Sequence, residues 1–238
     1  MPAATPHHTL HPVTPSDTPA LMAVGAAAFE HDLLRLATWP ALSPTAPPSA
    51  HAAEYEFRRR RQLKRLATPG VVMHKVLADD GTSVAGFSAW VAPKKSEDAA
   101  AQLQGGSTVA EAVNPGGEVP EGANRAIFEA QPRLMEEAKR RVLGERSDFW
   151  YLTSLATHPD HQGKGVGAAL VRWGIEQGER DGVPVYLEAT PDGYFLYKKL
   201  GFEQVDEIDV SELVPNCGSY KIVCMLKRPS SETQTQTQ

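Results

Sequence analysis

The chain has 238 residues, of which 41% are apolar and 22% charged, and a formal net charge of −5. That length and composition suit one generous globular domain, or two small ones, with a sizeable core. The negative balance argues against a nucleic-acid partner, which calls for a basic field, and no apolar run approaches the roughly 18 residues that span a bilayer.

The opening, MPAATPHHTLHP, has neither the basic region nor the apolar core of a secretory signal, so a cytoplasmic location is expected. Residues 1 to 8 read as disordered. TLHPV is a short strand. SDTPALMAVGAAAFEHDLL reads as one helix, capped by Ser16 or Asp17, with Pro19 in its first turn. WPALSPTAPPSA is a proline-rich loop, and EYEFRRRRQLKRLA is a strongly basic helix that ends before Pro69-Gly70. Its run from Arg58 to Arg65 has no interleaved aromatics and reads as a solvated helix face.

VVMHKVLADDGTSVAGFSAWVAP reads as a hairpin around Asp80-Gly81, a pair that tolerates positive φ. Residues 93 to 148 form an inserted segment. Its first part is rich in Gly, Pro and Ser. Its second, ANRAIFEAQPRLMEEAKRRVLG, is helical, with Pro132 breaking or restarting the helix. Ordinary connections run to about 4–6 residues, so this one marks a functional lid or wall.

Strand FWYLTSLAT follows, then the turn HPDHQGKGVG and a helix over 165 to 181. VPVYLEAT is the next strand, and DGYFLYKKLG a short helix stopped at Gly201. FEQVDEIDV and SYKIVCMLK close the fold, and residues 229 to 238 form a low-complexity, disordered tail. Cys217 and Cys224 are too few for a disulfide framework and read as reduced, partly buried thiols. Mixed strands, helices and hairpins give an α+β class with a largely antiparallel sheet.

The turn carries the chemistry. Gly163, Gly165 and Gly167 stand at alternate positions between a strand and a helix. The first N–H groups of a helix have no internal partner, and the helix dipole adds partial positive charge there. Glycines remove the Cβ atoms that would hold a ligand off. Such a mouth is a cradle for a phosphate or diphosphate, to which Lys164 can add charge. The stretch does not fit a Walker loop. Gly163-x-Gly165-x-x-Ala168, with Glu188 in the next strand, does fit a dinucleotide fingerprint. Against that, HPDHQ separates the strand from the first glycine, and no further strand–helix–strand units follow. His158, Asp160 and His161 gather without a third ligand cluster, so no metal is expected. Ser154 beside His158 lacks a third orienting group for nucleophilic catalysis.

Gln162-Gly163-Lys164-Gly165-Val166-Gly167 resembles the Q/R-x-x-G-x-G/A signature of the GNAT superfamily of acyl-CoA-dependent N-acyltransferases. The likeness extends through LATHPDHQGKGVGAALV and YLEATPDGYFLYKKLGFE, and the earlier hairpin and opening strand and helix also fit. The resemblance implies one domain over residues 9 to 228. Its sheet is mixed and mostly antiparallel, is flanked by helices, and has splayed central strands. It implies transfer of an acetyl group from acetyl-CoA to a primary amine of a small molecule or peptide, by direct attack in a ternary complex. The amides of Gln162, Gly163, Lys164, Gly165, Val166, Gly167 and Ala168 would hold the diphosphate. Leu155, Ala156 and Thr157 would line the pantetheine arm, with an N–H near Leu155 serving the oxyanion. Tyr197 matches the general acid, with Tyr194 as a competitor for the pocket. Glu188 matches a base position used by some members, with Asp148 and Glu30 as weaker candidates. The spacing from Glu188 to Tyr197 is shorter than in those members, and Asp192 stands where a frequent asparagine would. The basic helix would lie near the acceptor cleft. Superfamily members are often dimers, so a homodimer is one state the resemblance allows. A catalytically silent acyl-CoA sensor and a dinucleotide-dependent oxidoreductase are the rival functions.

Overall fold

Short apolar strands and amphipathic helices combine into one seven-stranded sheet in the computed structural model, which describes residues 8–40, 48–94, 119–214 and 218–230. The strands are β1 (Leu10–Pro12), β2 (Val71–Leu77), β3 (Val84–Val91), β4 (Trp150–Thr157), β5 (Val185–Ala189), β6 (Glu203–Asp209) and β7 (Lys221–Lys227). They lie in the order β1-β2-β3-β4-β5-β7-β6. Among the described strands only β4 and β5 run parallel; every other neighbouring pair is antiparallel. This is the expected α+β class, and it lacks the successive parallel units of a dinucleotide fold. The helices are α1 (Thr18–Ala28), α2 (Leu33–Thr38), α3 (Pro48–Ala67), α4 (Arg125–Leu143), α5 (Val166–Asp181) and α6 (Tyr194–Lys199). No described helix is long and apolar enough to cross a membrane.

Central β3 is buried along its whole length, as a strand covered on both faces must be. On one face Trp90, Trp150, Leu152 and Leu187 pack with Val171 of α5 and Tyr197 of α6. On the other, Leu21 and Val24 of α1 meet Met73, Phe87 and Ala89. Ile127 and Ala138 of α4 join Tyr151, Tyr186 and Cys224 on that same side.

Several local expectations change. The helix expected over residues 16 to 34 divides, because Asp32 caps a separate α2 through the Arg35 N–H at 2.7 Å. The other oxygen of Asp32 accepts the Tyr220 hydroxyl at 2.5 Å, a contact made across most of the chain. Helix α3 begins at Pro48, inside the expected loop. Asp80-Gly81 sits in a loop longer than a two-residue turn. Asp80 Oδ1 accepts the N–H groups of Thr82 and Ser83, each at 2.8 Å. Pro132 does not break α4, which runs through it from an Asn124 cap. That helix makes the later part of the insertion a wall against the sheet; residues 95–118 lie outside those described. At the ends, His8 and Ser230, expected in disordered segments, are bonded to Lys164 and Glu179. The rest of those segments, 1–7 and 231–238, lies outside the described residues, as does Cys217. Cys224 is a free, fully buried thiol.

Helix α5 lies unusually close to the sheet because two of its glycines face it. A Cβ at Gly174 would stand 2.2 Å from Trp90 Cη2, and one at Gly178 would stand 2.5 Å from Val185 Cγ2. Trp90 is itself fully buried and has no room to withdraw. On an exposed helix, Gly→Ala stabilises by about 1 kcal/mol. Here overpacking reverses the sign, and Gly174→Ala is expected to cost about 1–3 kcal/mol in urea unfolding. A stabilised variant would show that α5 can ride off the sheet.

Candidate active site

The parallel pair opens into a gap. β4 and β5 are in register at Trp150↔Val185, Tyr151↔Tyr186 and Leu152↔Leu187, and pair no further. Beyond that point β4 stays with β3 as far as Gly86↔Thr157, and β5 stays with β7 as far as Ala189↔Val223. Thr153 marks the departure. Ala89 pairs with Ser154 and Trp90 with Leu152, so Thr153 is an extra residue in β4, and a bulge of this kind bends its strand. Its hydroxyl donates to Ala89 O at 3.1 Å. The edge of β4 that faces β5 therefore has no strand partner after Leu152. Along this stretch Leu155 is partly buried beside α5, and Ala156 is buried with the α1 core. Thr157 Oγ1 fits between the backbones of Gly86 and Gly167.

Past Thr157, a short 3-10 turn at Pro159–His161 leads into the glycines. Gly163 and Gly165 adopt φ of 72° and 88°, in the left-handed region that favours glycine. Gln162 does not join the free amides as expected. Its N–H donates to Pro159 O at 3.1 Å and its side chain to Thr157 O at 3.3 Å, so it shapes the loop. From Gly163 through Ala168 no backbone N–H has a partner among the described residues; the first engaged donor is Ala169, to Gly165 O at 2.9 Å. Lys164 is exposed, while Val166 buries its side chain with Val76, Ala85 and Leu170 and so leaves only its amide available. A Cβ at Gly167 would meet Leu196 at 3.3 Å and Thr157 at 3.4 Å. His8 Nε2 donates to Lys164 O at 2.7 Å, tying the start of the described chain to this turn.

Glu188 and Tyr197 stand on opposite faces of the sheet. Leu187 and Ala189 pack with Tyr197, whereas Glu188 turns to the side of Tyr151 and Tyr186. The Tyr151 hydroxyl donates to Glu188 Oε2 at 2.7 Å. Glu188 Oε1 is buried and has no partner meeting hydrogen-bond geometry, although the Tyr186 hydroxyl lies beside the carboxylate. Burial pushes the Glu188 pKa up to about 7, against the opposing pull of the Tyr151 hydrogen bond and the Lys139 charge. Burial, with the Glu188 charge, also drives the Tyr151 phenol well above its usual range.

Tyr197 is buried against Phe202, with ring centroids 6.0 Å apart. Its hydroxyl bonds to no described residue, and burial raises its pKa, so it stays a neutral donor. Gly193 makes room for the ring, since a Cβ there would lie 3.0 Å from Tyr197 Cε2. Tyr194 instead packs on Phe195 and under Lys198. Asp148 is exposed and pairs with Arg146 at 2.7 Å, and Glu30 is exposed beyond the end of α1.

Sequence reasoning passes over Tyr151, Arg61 and Arg65. The arginine face of α3 is not solvated as expected. Arg65 is only 4% exposed, Arg61 Nε is wholly buried, and Arg58 is ion-paired to buried Glu54 at 2.7 Å. The available signal was the spacing of Glu54, Arg58, Arg61 and Arg65, which places all four on one helical face. Among the described residues no group of three or more His, Cys, Asp or Glu is placed to hold a metal ion.

The sequence model of the Acetyltransferase (GNAT) family matches residues 128–202, which span the insertion helix, the gap, the glycine turn and Tyr197. A protein of Ajellomyces capsulatus named "Probable acyltransferase SID5" is 33% identical over 98 residues, covering 37% of this chain and 72% of that protein. Among solved structures, arylalkylamine N-acetyltransferase 2 from Aedes aegypti superposes with a TM-score of 0.62 at 13% identity, over 94% of this chain and 99% of that one. A histone acetyltransferase HPA2 and related acetyltransferase from Corynebacterium glutamicum gives 0.56 at 21% identity, over 94% and 97%. At such identities these two structures establish a shared fold.

The Glu188 environment has a consequence for stability. Its folded pKa of about 7 lies above the ordinary glutamate value of 4.5, so the folded state holds this proton more tightly than the unfolded state does. That contribution is complete below 4.5 and is lost as pH rises to about 7, leaving a buried charge that costs on the order of 1–3 kcal/mol. Glu188→Gln should therefore melt higher than wild type at pH 8, with the advantage vanishing at pH 4.5 in thermal scans. A difference that does not vary with pH would contradict the buried-carboxylate assignment.

Proposed function

The chain belongs to the GNAT superfamily of acetyltransferases and is an acyl-transferring enzyme, and from that premise we propose that it acetylates a primary amine of a small molecule or peptide with acetyl-CoA. One observation carries the reading. The run of unpartnered amides from Gly163 through Ala168 opens beside a strand edge that has lost its neighbour. Amides at a helix mouth without intervening Cβ atoms suit a diphosphate. An extended edge suits the amide-bearing pantetheine chain, which can bond to it as a strand would. Residues Leu155, Ala156 and Thr157 supply that edge, and the amides of Gly163, Lys164, Gly165, Val166, Gly167 and Ala168 supply the cradle.

Acetyl-CoA supplies an activated acyl group whose leaving atom is a thiolate sulfur. The protein's tasks are to bind it, orient it and move two protons. Glu188, poised near neutrality, takes the proton from the acceptor ammonium and frees its nitrogen for direct attack. Tyr151 fixes the Glu188 carboxylate through its 2.7 Å hydrogen bond. An N–H near Leu155, on the open edge of β4, is the donor for the acyl oxygen. Tyr197, neutral and on the other face, gives its proton to the departing sulfur. Base and acid on opposite faces of the sheet support a ternary complex, with the acceptor entering from the α1–α4 side.

Thiol release with acetyl-CoA over a panel of amines, polyamines, amino acids and peptides tests this reading. Tyr197→Phe is expected to lower kcat about 10–100-fold while calorimetry finds acetyl-CoA affinity within about twofold of wild type. Wild-type kcat/KM should rise with pH through about 7 as Glu188 deprotonates, and Glu188→Gln should remove that limb along with most of the rate. Unchanged turnover in Tyr197→Phe would cancel its acid role. Failure to bind acetyl-CoA would cancel the function.

A further inference from the structure

Of the three guanidinium groups that α3 turns toward the sheet, one has no counter-charge. Arg58 shares Glu54 with Arg35, whose Nε and Nη2 hold the two carboxylate oxygens at 2.9 and 3.0 Å. Arg65 reaches Gln62 Oε1 and Thr153 O, each at 3.5 Å. Arg61 makes no hydrogen bond or ion pair with any described residue, and its Nε is fully buried. A buried cation without a partner is costly, and the positive neighbours make it more so. Burial and the Arg58 charge bring the Arg61 pKa down to about 10, which still leaves it protonated at neutral pH.

The position is specific. Tyr151 lies within electrostatic reach of both Arg61 and Arg65, and its hydroxyl donates to Glu188. The carbonyl that Arg65 approaches belongs to Thr153, the bulge residue at which β4 leaves β5. Two guanidinium groups thus stand at the mouth of the gap, on the Glu188 side of the sheet. A planar guanidinium fork matches a carboxylate. A singly charged group also suits a site that already holds Glu188 better than a doubly charged phosphate would.

We propose that the acceptor is an amine that also bears a carboxylate, and that Arg61, with Arg65 beside it, grips this carboxylate while the amine reaches Glu188. The proposal rests on the acetyl-transfer reading above. The carboxylate is a handle and is not consumed. The N–C bond forms, the C–S bond breaks, Glu188 receives the ammonium proton, and the thiolate takes the proton of Tyr197.

Matched acceptors test it: lysine against cadaverine, and ornithine against putrescine, with saturating acetyl-CoA and thiol release as the readout. The amino acid should exceed its diamine in kcat/KM by about tenfold or more, the scale of a charge-assisted hydrogen bond. Arg61→Met should bring the ratio to within about twofold, mainly through KM, and Arg61→Lys should restore part of it. Arg61→Met should also melt no lower than wild type, because it removes an unpaired buried charge. Equal turnover of both members of each pair, or a ratio that survives Arg61→Met, would overturn the carboxylate assignment alone. Loss of acetyl-CoA binding in Arg61→Met would place Arg61 on the donor side and overturn it too. No thiol release from any acceptor, by protein that binds acetyl-CoA, would remove both this proposal and the transfer it rests on.

Discussion

Two parallel strands that part company early impose the central constraint on this fold. Buried backbone N–H and C=O groups need partners, and a sheet normally supplies them across every pair of neighbours. After Leu152 and Leu187 that supply stops within the sheet, because Thr153 adds a residue to β4 and turns it aside. The open edge is a deficit left in the middle of the sheet, where a missing hydrogen bond costs most. A guest with its own amides can make up that deficit, and the glycine turn lies at the end of the same strand. The two features meet because β4 runs straight into the turn, so one element positions both halves of a long, thin ligand.

The parts of the molecule legible in the sequence are those governed by neighbouring residues. The alternating glycines, the strand before them and the helix after them are local facts, and the structure places them as the spacing implies. The alternation in YLEAT correctly sends Glu188 to the face opposite Leu187 and Ala189. The misreadings share a different cause. The break before α2 depends on Asp32 meeting Tyr220, far away in sequence. The continuity of α4 through Pro132 depends on packing against the sheet, with Ile127 on one side of the proline and Ala138 on the other both buried there. Gln162 looked like one more free amide because nothing in its neighbours announces the turn that engages it.

The basic helix is the most instructive of these. Four successive arginines in an acidic chain read as surface, since charge usually seeks water. Helical geometry sorts them instead. Arg59 and Arg60 face outward toward Glu56, while Arg58, Arg61 and Arg65 turn inward. Glu54 compensates one of these and leaves Arg61 without an anion. Composition counts charges but does not say which side of a helix carries them, and here that side decides what the cleft can hold.

The close seat of α5 on Trp90 divides the scaffold into halves with different tolerance for change. Beneath α5 the helix backbone rests against ring atoms, so few replacements there leave the glycine turn where it is. Across the sheet, α1 through α4 meet the site through side chains and ion pairs, which can be exchanged one at a time. New preferences for small molecules can accordingly arise on that second side through piecemeal substitution, while the machinery built around the turn is inherited intact.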